Sequence, residues 1–258
     1  MSNSGTTIIF YDIPFAEPGV CWSPFTWRTR YCLNYKGLPY RTEWVEYPDI
    51  EALCIKIGAA PTDVQDDGVT PEYTLPVIYD PTTGRAVSDS FDIAVYLDAT
   101  YPSTPRVMHP GMQGIQTACA SYANFQTARV RPFVIPAVFQ KLPPGRSQEY
   151  FRRTREVTIG CKLEDWTPRG EDGVREWKAF ERGLMFVDKP YKRARKETGG
   201  RFICGEHPTF ADFALAGVLQ WCKEGFGPES EEWRDISSWE DRKWETFLNN
   251  LEMVAQVQ

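Results

Sequence analysis

Strand-forming runs are confined to the first hundred residues of this chain, and everything beyond a proline-studded segment reads as helix. That asymmetry asks for an α/β unit followed by an all-helical one. Thr7-Ile8-Ile9-Phe10-Tyr11 is a β-branched and aromatic run fit for a buried strand. Pro24 to Leu38 reads as a helix, with Pro24 suited to its first turn and Gly37 marking its end. A second strand over Tyr40–Tyr47, a short helix from Asp49 to Ile57 and an exposed acidic loop from Ala59 to Glu72 follow. Leu75–Asp80 and Thr82–Val87 read as a hairpin, and Ser90–Tyr101 as the helix that closes the unit. Pro102, Pro105 and Pro110 make a linker. Helices are expected thereafter over 111–131, 147–165, 171–196, 208–225 and 238–254, with Pro132 and Pro136 ending or kinking the first. Thr209, with Asp212 three residues on, is a capping-box variant ahead of the apolar run Phe213–Trp221, the expected core of this half.

Charge and cysteine usage narrow the function classes. The 29 basic and 35 acidic residues leave a net charge of −6, which argues against nucleic acid as the main partner. The basic cluster Lys192–Lys196 is explained by a solvated helix C-terminus, where cations meet the dipole favourably. The longest apolar stretch, Phe210–Cys222, is too short to span a bilayer, and Met1–Gly5 lacks the basic start of a secretory leader. Seven cysteines lie scattered with no two in a CxxC pair, and His109 and His207 are the only histidines. A reducing cytoplasm and no metal are the expectations.

Three features could carry chemistry. Ser23 precedes the first helix, where unpaired amides and the dipole favour an anion. It is either an N-cap or a hydroxyl poised to donate a hydrogen bond to a thiolate. Leu75-Pro76 opens a strand where proline removes a ladder donor; a cis bond there would free the Leu75 backbone to pair with an extended peptide. Ser90 is a natural cap of the following helix, yet Asp89 and Ser90 together could also receive an ammonium and a carboxylate, the head group of an α-amino acid.

Ser23-Pro24-Phe25, Leu75-Pro76 and Asp89-Ser90, in this order and spacing, resemble the soluble glutathione transferases over the whole chain. The resemblance implies an α/β thioredoxin-like N-terminal domain over residues 1–101 and an all-α helical C-terminal domain over 111–258. Trp22-Ser23-Pro24-Phe25-Thr26-Trp27-Arg28-Thr29-Arg30 and Tyr35-Lys36-Gly37-Leu38 are most similar to the bacterial β-etherase-like branch and the fungal etherase-related FuA class. It further implies glutathione as co-substrate, its sulfur assisted by Ser23. Pro76 would be cis, Leu75 would pair with the cysteinyl backbone, and Asp89 and Ser90 would hold the γ-glutamyl end, with Lys56 meeting the glycyl carboxylate. A homodimer follows from the resemblance alone. Omega-type relatives and glutaredoxins carry cysteine at this position; serine forms no mixed disulfide, so thiol reductase activity is disfavoured.

A second, aromatic or phenolic substrate is expected between the halves, with Phe25, Trp27, Tyr122 and Phe125 either forming its wall or belonging to the core. Two functions stand open: an enzyme that conjugates glutathione or cleaves aryl ethers in detoxification, and a ligandin that binds aromatic compounds without catalysis.

Overall fold

Strand β1 (Ile8–Asp12) is flanked on one side by the parallel strand β2 (Tyr40–Trp44) and on the other by the antiparallel strand β5 (Val77–Asp80), which pairs in turn with β6 (Arg85–Ser88). The resulting sheet has the order β2-β1-β5-β6. These relations come from a computed structural model that describes residues 7–65 and 67–258. The segment Met1–Gly5 and Asp66 lie outside the described residues.

Helix α1 (Pro24–Lys36) links β1 to β2; α2 (Ile50–Ile57) and α3 (Ser90–Thr100) complete the unit. Ile8, Phe10, Val77 and Ile78 are buried at the sheet centre. At its end, Asp12 and Arg30 form a fully buried ion pair at 2.7 Å, with Arg30 also reaching the hydroxyls of Tyr40 and Thr42 at 3.2 Å. The stretch read as an irregular loop contains a small hairpin of β3 (Asp63–Val64) and β4 (Pro71–Glu72). Asp67 sets its turn by accepting bonds from the amides of Val69 and Thr70 at 2.9 and 2.8 Å.

The second half is helical: α4 (Gln113–Gln126), α5 (Arg131–Lys141), α6 (Arg146–Ile159), α7 (Leu163–Trp166), α8 (Gly170–Thr198), α9 (Phe210–Phe226) and α10 (Glu231–Asn249). Pro132 does not end a helix but lies in the first turn of α5, where its missing N–H costs nothing. Pro136 lies inside α5 and leaves the Pro132 carbonyl without its usual donor, and the Thr167 hydroxyl supplies one at 2.8 Å. The single helix expected over 147–165 is two, because Gly160 takes a left-handed conformation at the end of α6. The last helical segment begins at Glu231, capped by the Ser230 hydroxyl, and breaks at Trp239–Arg242, where Glu240, Asp241 and Arg242 take positive φ, so the helix expected from Ser238 is interrupted near its start.

Thr209 and Asp212 form the capping box of α9, the Thr209 amide donating to the Asp212 carboxylate at 2.8 Å. Every residue from Phe210 to Gln220 is buried. Helix α9 packs against α1, α4 and α5 and so joins the halves. Gly217 permits this: a Cβ there would stand 2.3 Å from the Pro24 carbonyl oxygen, at the start of α1. Among the described residues no helix is long and apolar enough to cross a membrane.

Candidate functional site

The cleft between the two halves has a volume of about 530 Å³ and reaches from the start of α1 to the facing sides of α5, α6 and α9. Ser23 lines it, with only 4% of its surface exposed. Its position follows from local chemistry. A bridge between Pro14 and Cys21 closes the loop ahead of α1, and Trp22 stacks on Phe15 with ring centroids 5.2 Å apart. Pro24 then starts the helix, and the Ser23 carbonyl accepts from the Trp27 amide at 3.0 Å. The Ser23 hydroxyl makes no capping bond. The helix start is therefore left with open amides and an uncommitted hydroxyl beside them, an arrangement suited to an anion. Cys21, two residues earlier, is buried, and burial pushes its thiol far above the ordinary range.

Leu75, Pro76, Asp89 and Ser90 line the same cleft as Ser23. The Leu75–Pro76 bond is cis. Neither the N–H nor the carbonyl of Leu75 has a backbone partner among the described residues. Asp89, not Ser90, caps α3: one carboxylate oxygen accepts from the amides of Phe91 and Asp92 at 2.7 and 3.2 Å. Asp89 does so at a φ of 71°, a conformation non-glycine residues rarely adopt. Ser90 is the first residue of the helix and is buried, with no cap to make. Behind this end, Arg28 is buried and donates to the Asn124 side chain across the domain boundary at 2.9 Å. Burial lowers its pKa to about 10, against the pull of the Asp89 charge.

Two family descriptions fit the chain in tandem: the glutathione S-transferase N-terminal domain over residues 22–100, and the glutathione S-transferase C-terminal domain over residues 115–253. The chain belongs to the glutathione S-transferase family. A relative, the glutathione S-transferase-like protein ustS of Aspergillus flavus, is 32% identical over 249 residues, covering 88% of this chain and 83% of its own. A glutathione S-transferase of Ceriporiopsis subvermispora solved in complex with glutathione is 42% identical, with a TM-score of 0.91 over 98% of this chain and 99% of its own. The transferase GSTFuA3 of Phanerochaete chrysosporium is 43% identical, with a TM-score of 0.90 over 99% and 100% of the two chains. Within the glutathione S-transferases the chain thus resembles the fungal FuA class.

Other expected site residues fall elsewhere in this transferase. Lys56 does not reach the cleft: α2 turns Ile50 and Cys54 inward, leaving Lys56 exposed. Of the four aromatic residues expected in the wall, only Phe25 lines the cleft, with the Arg28 guanidinium 4.5 Å from its ring centre. Trp27 is core, its indole N–H donating to the Cys21 carbonyl at 2.9 Å. Tyr122 and Phe125 lie on the outer side of α4, Tyr122 lining a separate cavity against α8 and Phe125 77% exposed. The neighbouring Asn124 and Thr127 face the cleft instead, since each residue turns a helix by about 100°.

The aromatic wall is built by Tyr47, Tyr150, Phe151 and Trp221. Tyr47 stacks on Tyr150 at 5.8 Å and meets Phe151 at 5.5 Å. Burial pushes the Tyr47 hydroxyl up to about 12, with the charge of Arg155 pulling it back. Trp221, expected in the core run Phe213–Trp221, lines the cleft instead, and the signal that could have found it is Gly217, one turn earlier on the same helix. A glycine in an otherwise apolar helix marks the face that approaches a neighbour closely.

Proposed function

We propose that this chain is a catalytic glutathione transferase in which the Ser23 hydroxyl donates a hydrogen bond to the sulfur of bound glutathione. The observation that carries this reading is the Ser23 hydroxyl itself: it caps nothing and faces a cleft shared with Leu75, Asp89 and Ser90. Glutathione bound to the Ceriporiopsis relative supports the same ligand here. The tripeptide lies along residues 1–101, with its cysteinyl backbone on the free N–H and carbonyl of Leu75. Its γ-glutamyl carboxylate meets Ser90 and the start of α3. Its ammonium meets the Asp89 oxygen that is not engaged in capping. The glycyl end falls near the hydroxyls of Thr62 and Thr74, 2.8 Å apart in the cleft lining, rather than at Lys56.

A thiol with an ordinary pKa near 8.5 is mostly protonated at neutral pH, and a site that lowers this by about two units supplies about 2.7 kcal/mol of thiolate preference. The helix start and the Ser23 hydroxyl supply that preference together. The thiol proton leaves to solvent. Sulfur then bonds to an electrophilic carbon of a substrate held by the helical unit over residues 111–258, and the leaving group, a halide or an aryloxide, departs with its electron pair. Detoxification of aromatic compounds is the role that fits this chemistry, and a homodimer in the cytoplasm its setting, all seven cysteines being unpaired thiols. A ligandin role is favoured by one observation, the aromatic lining of the helical wall.

Ser23→Ala separates the two. Conjugation of a generic electrophile falls about 10- to 100-fold in kcat/KM, as expected for losing a hydrogen bond to a charged sulfur, while aromatic ligand binding persists. Full activity in Ser23→Ala would refute the thiol-activating role.

A further inference from the structure

The charged residues that line the cleft are divided between its walls. Asp63, Glu72 and Asp89 come from the first half, and Arg131 and Arg155 come from α5 and α6 of the second. Two other arginines of α6 are paired, while Arg153, 5.5 Å from the Tyr150 ring centre, does not line the cleft. Arg146 pairs with Asp49, and Arg152 with Glu156 and Glu164. Neither Arg131 nor Arg155 has a carboxylate partner among the described residues. Arg155 is half-buried and held by aromatic faces, its guanidinium carbon 4.8 Å from the Phe151 ring centre and 5.8 Å from that of Tyr47. Its guanidinium donates to the Thr154 hydroxyl at 3.2 Å and stands against the Tyr47 hydroxyl, both neutral partners. On the same wall, the indole N–H of Trp221 is buried without an acceptor. A stacked guanidinium keeps its fork oriented, and partial burial strengthens its pull on an anion.

We propose that Arg155, assisted by Arg131 and the Trp221 N–H, selects aromatic electrophiles that carry an anionic oxygen group such as a carboxylate. The aromatic ring lies against Tyr47 and Phe151, and the carboxylate takes the guanidinium fork that no protein acid occupies. The inference rests on the transferase reading above and names its substrate class.

The test pairs 4-chloro-3-nitrobenzoate with its neutral amide. In each, glutathione sulfur bonds to the ring carbon bearing chlorine and chloride leaves with the bonding electrons. Rates are referred to the uncatalysed reaction, which removes the difference in intrinsic reactivity. Binding is read separately by titrating the unreactive 3-nitrobenzoate and 3-nitrobenzamide into glutathione-loaded protein. The wild type favours the carboxylate over the amide by tenfold or more, through KM and the dissociation constant. Arg155→Leu abolishes the preference and Arg155→Lys restores part of it. Equal treatment of carboxylate and amide by the wild type, or a preference that survives Arg155→Leu, overturns the anchor. So does an Arg155→Leu defect confined to the KM for glutathione. Preferential binding of 3-nitrobenzoate without conjugation of either chlorinated compound would refute the transferase reading and keep the anchor.

Discussion

Replacing Gly217 by alanine tests whether main chain against main chain holds the two halves in register at the proposed sulfur site. A Cβ at this position would stand 2.3 Å from the Pro24 carbonyl oxygen, whereas carbon–oxygen contacts close at about 3.3 Å. One of the two helices must therefore move by about 1 Å. Overpacking costs about 1–3 kcal/mol, and a carbonyl has no rotamer with which to yield, so the cost falls near the top of that range. Alanine's better helix propensity returns about 1 kcal/mol. The net loss of about 2 kcal/mol lowers Tm by roughly 4–8 °C. The displacement falls on Pro24, the neighbour of Ser23, and misplacing a catalytic group by about 1 Å costs up to about 100-fold in rate. Differential scanning fluorimetry and conjugation kinetics read both effects. Gly225→Ala is the matched control, because there the new methyl meets the side-chain methyls of Val134 and Val138 at 2.7 and 3.1 Å. Those groups can turn aside, so that variant keeps its kcat/KM and loses less stability. A Gly217→Ala protein with Tm within about 1 °C of wild type and unchanged kinetics would show that the contact between α1 and α9 is compliant and does not set the position of Ser23.

Asp89 supports two further measurements, because it caps α3 from a backbone conformation with positive φ. Asp89→Ala loses the cap and strains the backbone, at a cost of about 2–3 kcal/mol in urea unfolding. Asp89→Asn keeps both features, so its stability stays near wild type while its calorimetric affinity for glutathione drops about tenfold for want of the charge; undiminished affinity would remove Asp89 from the proposed ammonium site. The pH dependence of stability should carry the mark of Asp80. Burial pushes its carboxyl up, but the hydroxyls of Tyr101 and Tyr96 at 2.6 and 2.7 Å and the Thr82 amide at 2.9 Å hold it below its ordinary 3.8. A depressed acid contributes stability that is whole above its unfolded-state pKa and lost as pH falls through the lower folded value. The gap in urea midpoint between wild type and Asp80→Asn is therefore widest above about pH 4 and narrows below it; a gap constant from about pH 6 to about pH 2.5 would contradict this account.

What could be read from the chain alone divides along a physical line. The start of α1 at Pro24, its end at Gly37 and the box of Thr209 and Asp212 were readable because each is decided by contacts within about four residues. The start of α3 shows how narrow that margin is: Ser90 and Asp89 both suit a cap, and only the positive φ at Asp89 decides between them. Tertiary contacts took over elsewhere. Pro136 survives inside α5 because Thr167, thirty-one residues away, replaces the missing donor, and no local rule could have supplied that partner.

The cleft follows the same division. Ser23, Leu75, Pro76, Asp89 and Ser90 lie at turns and helix starts, where chain direction alone decides what faces outward, and all five line one cavity. The wall of the helical half depends instead on how each helix is rotated. Phe125 and Asn124 are adjacent in sequence, yet Asn124 faces the cleft and Phe125 faces solvent. Composition favoured the aromatic residue; the buried face of α4, formed by Gln116, Ala120 and Ala123, chose the polar one. Helix α1 hides its orientation further, since it is buried against both the sheet and α9 and so carries no single apolar stripe to reveal which side Trp27 takes. The residues proposed to bind a tripeptide could therefore be found from local chemistry, whereas those proposed to choose the second substrate, Arg155 among them, emerge only once two helices from distant parts of the chain face each other.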